Sequence, residues 1–181
     1  MSADRLDSLI AELRRAWEHT DALWLDLSED EVRWRPNEQS SAIGWHLGHQ
    51  AAVAHYMVRN LLAAEPSPDP ELDTLMDSAT PEIDRGALPA LDRLATYRRS
   101  VATRVLSRID DIREARVGAP DQLAVVGSTM LVALVNHEYQ HDQWIGEVRS
   151  RDLGRAVPPR PESPLLETLN GYAVVDVAAA G

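Results

Sequence analysis

The sequence predicts an all-α fold: a four-helix bundle followed by an irregular C-terminal tail. Two observations predict it. Four long stretches carry apolar residues every three or four positions, the period of one helix face. Most prolines fall between or after those stretches: Pro66, Pro68, Pro70, Pro81 and Pro89 in one gap, and Pro158, Pro159, Pro161 and Pro164 near the end. A chain of 181 residues is the size of one domain. The pattern divides it into a bundle over 1–150 and a Pro-rich tail over 151–181.

The first helix is expected over about 4–27, where Leu6, Leu9, Ile10, Leu13, Trp17, Trp24 and Leu27 recur. Arg35-Pro36-Asn37 then marks a turn. The second helix is expected over about 41–64, with Ser40 or Ser41 as its N-cap. It is apolar nearly all round, the pattern of a helix buried on several sides. Residues 65–89 form a long connection with one helical turn near 72–76. Such a connection is either a strap crossing the bundle, the plainer reading, or a lid. The third helix is expected over about 89–114 and the fourth over about 120–150, with Pro120 suited to a first turn. Residues 172–177 read as a short strand or an apolar stretch of tail.

Composition removes several chemistries. There is no cysteine, so disulfides, thiolate ligands and cysteine nucleophiles are excluded. There is no lysine, so no side-chain amine can form a Schiff base. A net charge of −11 repels phosphate backbones and argues against nucleic-acid partners. The N-terminus lacks the pattern of a signal peptide, and no apolar stretch is long enough to span a bilayer. A soluble cytoplasmic protein acting on a small molecule is expected.

The fourth helix carries the strongest chemical signal. Its apolar stripe reads Val126, Met130, Ala133, His137, His141, Trp144, Val148 in steps of three and four. His137 and His141 therefore lie one turn apart on one face, and an i, i+4 pair can aim two imidazoles at a common ion. Burying two imidazoles in an apolar stripe requires polar partners for both. In the second helix, His49 shares a stripe with Trp45, Ala52 and Tyr56 and can complete a site of three nitrogens. Such a set suits Zn, Ni, Fe or Mn and leaves coordination positions open, the mark of a catalytic site. His46 lies about 60° round the helix and reads as a supporting or surface residue. His19 and His55 have no partner at metal spacing and read as surface or packing residues.

One motif competes. His137-Glu138-Tyr139-Gln140-His141 matches H-E-x-x-H, in which the Glu is the general base of a zinc peptidase. Glu138 is accordingly a candidate catalytic residue, although a solvent-facing role is the simpler reading. Glu162 or Glu167 would have to supply a third peptidase ligand from the Pro-rich tail.

Two stretches then resemble a known family. Ser41-Ala42-Ile43-Gly44-Trp45-His46-Leu47-Gly48-His49, followed at a distance by Asn136-His137-Glu138-Tyr139-Gln140-His141-Asp142-Gln143, is similar to the DinB-like superfamily of metal-binding four-helix bundles. The segment Leu27-Ser28-Glu29-Asp30-Glu31-Val32-Arg33-Trp34-Arg35-Pro36 resembles that family's link between its first two helices. The two histidine motifs are also close to those of the N-terminal bundle of ergothioneine-synthesising sulfoxide synthases. Those enzymes need a second, larger domain, so the same oxidative reaction is not expected of this bundle.

The resemblance covers about residues 4–150 and implies an up-down-down-up bundle, often dimeric. It implies metal ligation by His49, His137 and His141. Characterised members include transferases and isomerases that use low-molecular-weight thiols, and others are described as metal-dependent hydrolases. The expected function is a metal-dependent thiol transferase, in which the cation activates an external thiol. A hydrolase using water, or a non-enzymatic metal-binding or stress-response module, are the alternatives. Tyr56 and Gln143 are candidates to hydrogen-bond the attacking group, and Arg33, Arg35 and Arg59 to hold a thiol's carboxylates.

Overall fold

The computed structural model describes residues 3–179, and side chains from Arg5 onward. Four long helices carry the fold: α1 (Ala3–Trp24), α3 (Ile43–Leu61), α5 (Leu91–Arg113) and α6 (Pro120–Glu147). Two short ones, α2 (Glu29–Arg33) and α4 (Pro70–Leu75), lie in the connections. This is the all-α bundle with a C-terminal tail that the periodicity predicts.

Helix α1 packs on α6, α6 on α3, and α3 on α5. The core runs through Leu9, Leu13 and Leu23 of α1, Ile43 and Leu47 of α3, Leu94 and Ile109 of α5, and Met130, Leu131 and Leu134 of α6, all fully buried. Burying each such side chain stabilises the fold by about 1.5–3 kcal/mol.

Several local details differ from the sequence reading. Helix α1 ends at Trp24 rather than near 27, because Ser28 starts a new helix. Ser28 Oγ accepts from the backbone of Glu31, and the Glu31 carboxylate accepts from the backbone of Ser28, a reciprocal capping box. Neither Ser40 nor Ser41 caps α3. The N-cap is Ala42, which provides no side-chain cap. Ser41 instead lies 3.4 Å from the Arg85 guanidinium.

The 65–89 connection is a strap. Arg33 donates to the carbonyls of Leu88 and Pro89 at 2.9 and 2.7 Å. Arg35 donates to those of Glu82 and Ile83 at 3.1 and 3.0 Å. Arg93 holds Asp69 and Glu71 at 2.8 Å. These bonds fix the strap across the ends of α3 and α5. They also give Arg33 and Arg35 structural partners, not the substrate-holding role considered above.

The tail is ordered. After α6 a π-helical turn (Val148–Asp152) sets Arg149 inward, where it forms two bonds with Asp26 at 2.6 and 2.7 Å. Strands β1 (Leu166–Leu169) and β2 (Tyr172–Val175) form an antiparallel hairpin through Asn170-Gly171, both at positive φ. Ala173 and Val175 are buried against α6. The backbone N–H of Val175 donates to Asn136 at 2.7 Å, next to His137 in the chain.

Candidate metal centre

Helices α3 and α6 cross in the core, and their histidines meet there. One nitrogen each from His49, His137 and His141 lies within 4.8 Å of the others. His49 and His141 are buried and His137 is half-buried. Ring centroids of the three are 4.4 to 5.2 Å apart.

Each ring is held by a different contact. His49 Nδ1 lies 2.7 Å from the Met76 carbonyl at the end of α4. A carbonyl only accepts, so Nδ1 carries the proton and Nε2 keeps its lone pair free for a cation. His141 Nδ1 lies 2.9 Å from His46 Nδ1, which leaves Nε2 of His141 for the cluster. His137 Nδ1 is buried without a hydrogen-bond partner. An orphaned polar atom in such a place costs about 1–3 kcal/mol, and a bound cation would relieve that cost. Three neutral imidazoles from two long helices, one ring carrying an orphaned nitrogen, fit a divalent metal ion.

The rings are held neutral. Burial, then the neighbouring His49, push His137 down to about 4. Burial above all, with the nearby histidines and Arg85, pushes His46 down to about 3 and lowers His141 further. His49 is lowered mainly by burial. Metal ligands must be unprotonated imidazoles, so this environment prepares the site near neutral pH.

Aromatic rings wall the cluster. Trp45 stacks on His49 at 4.6 Å, and Trp144 meets His141 edge-on at 4.8 Å. On the other side of the stack, the Arg85 guanidinium lies 4.2 Å from the Trp45 ring. Arg85 bonds the carbonyls of Thr80 and Ser78, at 3.0 and 3.1 Å, and has no carboxylate partner among the described residues.

The other candidates are placed elsewhere. Glu138 is buried, not solvent-facing, and is not part of the three-histidine cluster. Its carboxylate accepts from Thr20 at 3.3 Å on the α1 side, and burial pushes it up to about 7. Asp142, one turn on, accepts from Thr20 at 2.8 Å and from Gln50 at 3.1 Å, and is also raised by burial. Gln143 lies 3.5 Å from Glu147 on the helix surface. Tyr56 is exposed and lines a cavity of about 880 Å³ beside Arg59 and Met76. Arg85 was missed by the sequence reading. No linear pattern joins it to the histidines, because only the strap carries it to Trp45.

A family model of the DinB superfamily matches residues 12–145, from the first helix through the second histidine motif. The chain belongs to the DinB superfamily. No curated protein matches the sequence. The match ends at α6, so the π-helical turn and the hairpin lie outside it. No described helix is long and apolar enough to cross a membrane. In this DinB-superfamily bundle, the three histidines that could hold a metal ion fall inside the matched span.

Proposed function

We propose that this chain is a metal-dependent thiol transferase that joins a low-molecular-weight thiol to a small electrophile. The observation that carries the reading is the cluster itself: three converging neutral imidazoles with no fourth protein ligand among the described residues. Three protein ligands leave positions open, as catalytic sites require. A divalent cation held there would lower the pKa of a thiol and supply a sulfur nucleophile near neutral pH.

The chain's own residues supply orientation and exclusion of water. Met76, through its carbonyl, fixes the ring of His49. Trp45 and Trp144 shield the cluster. Arg85 places a positive charge on the far face of Trp45 from His49, near enough to add to burial in lowering the pKa of that imidazole and suited to the carboxylate of an incoming thiol. With no cysteine in the chain, the sulfur must come from a cosubstrate. The new S–C bond forms as the leaving group departs with its bonding pair, and the thiol proton passes to water. Glu138 favours this reading over hydrolysis, since its carboxylate bonds Thr20 and is absent from the histidine cluster.

The test uses the full chain loaded with Zn(II), an aryl chloride as electrophile, and cysteine or 2-mercaptoethanol as thiol. Product formation should require thiol and should be lost in His137→Ala. Arg85→Ala should raise KM for cysteine about tenfold and leave 2-mercaptoethanol, which has no carboxylate, unchanged. Thiol-independent hydrolysis of an ester substrate would instead place water as the nucleophile.

A further inference from the structure

The carbonyl that sets His49 belongs to an element that cannot set itself. Helix α4 has six residues, too few to hold a helix in water without tertiary support. Asp69 caps it, accepting from the Leu72 N–H at 3.2 Å. Leu72 and Met76, four positions apart and both fully buried, seat it on the bundle. Apolar packing of that kind is not directional. The aim of the Met76 carbonyl therefore needs a polar contact to fix it.

One carboxylate supplies that contact. Asp73 lies one turn before Met76 and is half-buried. Its Oδ1 accepts from the Tyr97 hydroxyl of α5 at 2.5 Å, and its Oδ2 lies 3.2 Å from His55 Nδ1 of α3. An ionised carboxylate only accepts, so the phenol and the imidazole both donate to it. Burial, reinforced by Asp73, raises the pKa of the Tyr97 phenol, which therefore keeps the proton it donates. His55 is 2% exposed, its Nε2 has no partner, and it stands outside the three-histidine group. What its ring contributes is the Nδ1 bond.

These bonds close a circuit. His55 and His49 are six positions apart on α3. From His55 the path runs to Asp73, along one turn of α4 to the Met76 carbonyl, and back to His49 Nδ1 at 2.7 Å. Tyr97 ties the same circuit to α5. A displaced α4 would bend or break the His49 bond and free that ring to turn its Nε2 away from His137 and His141. We propose that Asp73 is a positioning residue of the metal centre: held by Tyr97 and His55, it sets α4 so that the Met76 carbonyl fixes the His49 ring with Nε2 presented to the cation. The proposal rests on the three-histidine metal site and does not require thiol transfer.

The experiment has a metal-free arm and a metal arm, both on the full chain. In ¹⁵N-histidine-labelled protein without metal, NMR near neutral pH should show wild-type His49 in one tautomer, with the proton on Nδ1. Asp73→Ala should give a mixture of tautomers and weaken Zn(II), read by competition with a chromogenic chelator, by about tenfold. Tyr97→Phe, which keeps the ring and removes the hydroxyl, should change both readouts the same way by a smaller factor. Asp73→Asn should recover most of the loss, because its amide offers Tyr97 an acceptor and offers His55 a donor that the other tautomer accepts. Glu65→Ala is the control, since it breaks the ion pairs with Arg104 and Arg108 at the far end of the strap. It should leave His49 and Zn(II) affinity unchanged. A single His49 tautomer with wild-type Zn(II) affinity in Asp73→Ala overturns the proposal, as does an equal effect of Glu65→Ala. Should Asp73→Ala fail to fold, wild-type readouts in Tyr97→Phe overturn it as well. Failure of the wild type to bind Zn(II) would instead remove the metal centre itself, and the proposal with it.

Discussion

His46 and His141 meet through their Nδ1 atoms at 2.9 Å, both rings buried. One nitrogen of that pair must donate and the other accept. With His141 Nδ1 engaged, its Nε2 is the atom turned to the three-histidine cluster. His46 thus orients His141 within the cluster and stands outside the three-histidine group itself. Such supporting bonds usually carry about 10- to 100-fold in metal affinity. His46→Phe should weaken Zn(II) binding by that order, read by competition with a chromogenic chelator. His46→Gln, whose amide can still bond His141, should recover part of it. Equal loss in both variants would mean that His46 acts only through packing.

Removing a ligand should cost more than removing its support. His49→Ala, His137→Ala and His141→Ala should each lose most of the bound metal, measured by mass spectrometry on protein purified without a nickel column. Gln143→Ala, on the helix surface beside Glu147, should keep it. Retention of metal in His49→Ala would show that α6 alone binds the ion and would remove α3 from the site.

Acid should strip the metal and weaken the metal-free fold together. His137 and His46 have folded pKa values near 4 and 3, below the unfolded 6.5. As pH falls through 6.5, the unfolded chain takes up protons that the folded one refuses, so stability is lost from about pH 6.5 to about pH 3. Glu138 has the opposite sign. Its folded pKa, pushed up to about 7, lies above the unfolded 4.5. Its contribution is present below pH 4.5 and is lost as pH rises towards 7. Glu138→Gln should therefore raise stability at pH 8, on the order of 2 kcal/mol, and change it little at pH 4.5. Urea melts at the two pH values separate these effects, and a loss of stability at pH 8 would contradict the sign.

Much of this architecture is legible in the sequence. Helical period places all four long helices to within a few residues, since each buries one continuous face. The i, i+4 pair and His49 are legible because metal ligands must share a face. What fails is the rotation of α6. The apolar stripe predicts Val126, Ala133 and His137 in the core, yet these are half-buried, while Gly127, Leu134, Glu138 and Asp142 are buried. A hydrophobic stripe cannot reveal two buried carboxyls. Their partners Thr20 and Gln50 come from other helices. The hairpin was within reach, because Asn170-Gly171 between two apolar runs is a strong turn signal. So was the Ser28/Glu31 capping box. Arg85 and the bond from His55 to Asp73 were not, since both depend on the path of the strap.

The tail is tied to the bundle through one buried carboxylate. Glu12 accepts from the Tyr139 hydroxyl at 2.8 Å and from Ser163 Oγ at 2.5 Å, and also pairs with Arg15. Glu12→Ala strands the buried phenol and removes one of the tail's ties to the bundle, leaving the Val175–Asn136 bond and the packing of β2 on α6. The expected loss is about 1–3 kcal/mol, the cost of leaving a buried polar group unpaired. Hydrogen exchange should show faster opening of β1 and β2. Unchanged protection of the hairpin would show that the contacts of Ala173 and Val175 with α6 suffice.

Gly48 links the strap to the three-histidine cluster through sterics alone. A Cβ built there would lie 2.5 Å from Met76 Sδ and 2.7 Å from its Cγ, and Met76 is fully buried with little room to retreat. Gly48→Ala must therefore push Met76 outward, and the Met76 carbonyl is what holds His49. Overpacking of this kind costs about 1–3 kcal/mol. The sharper expectation is a fall in Zn(II) affinity although no ligand has been touched. Gly118→Ala, where a Cβ meets nothing within 4 Å, should change neither quantity. If Gly48→Ala lowers stability but binds Zn(II) as the wild type does, the Met76 carbonyl is not what sets the His49 ring.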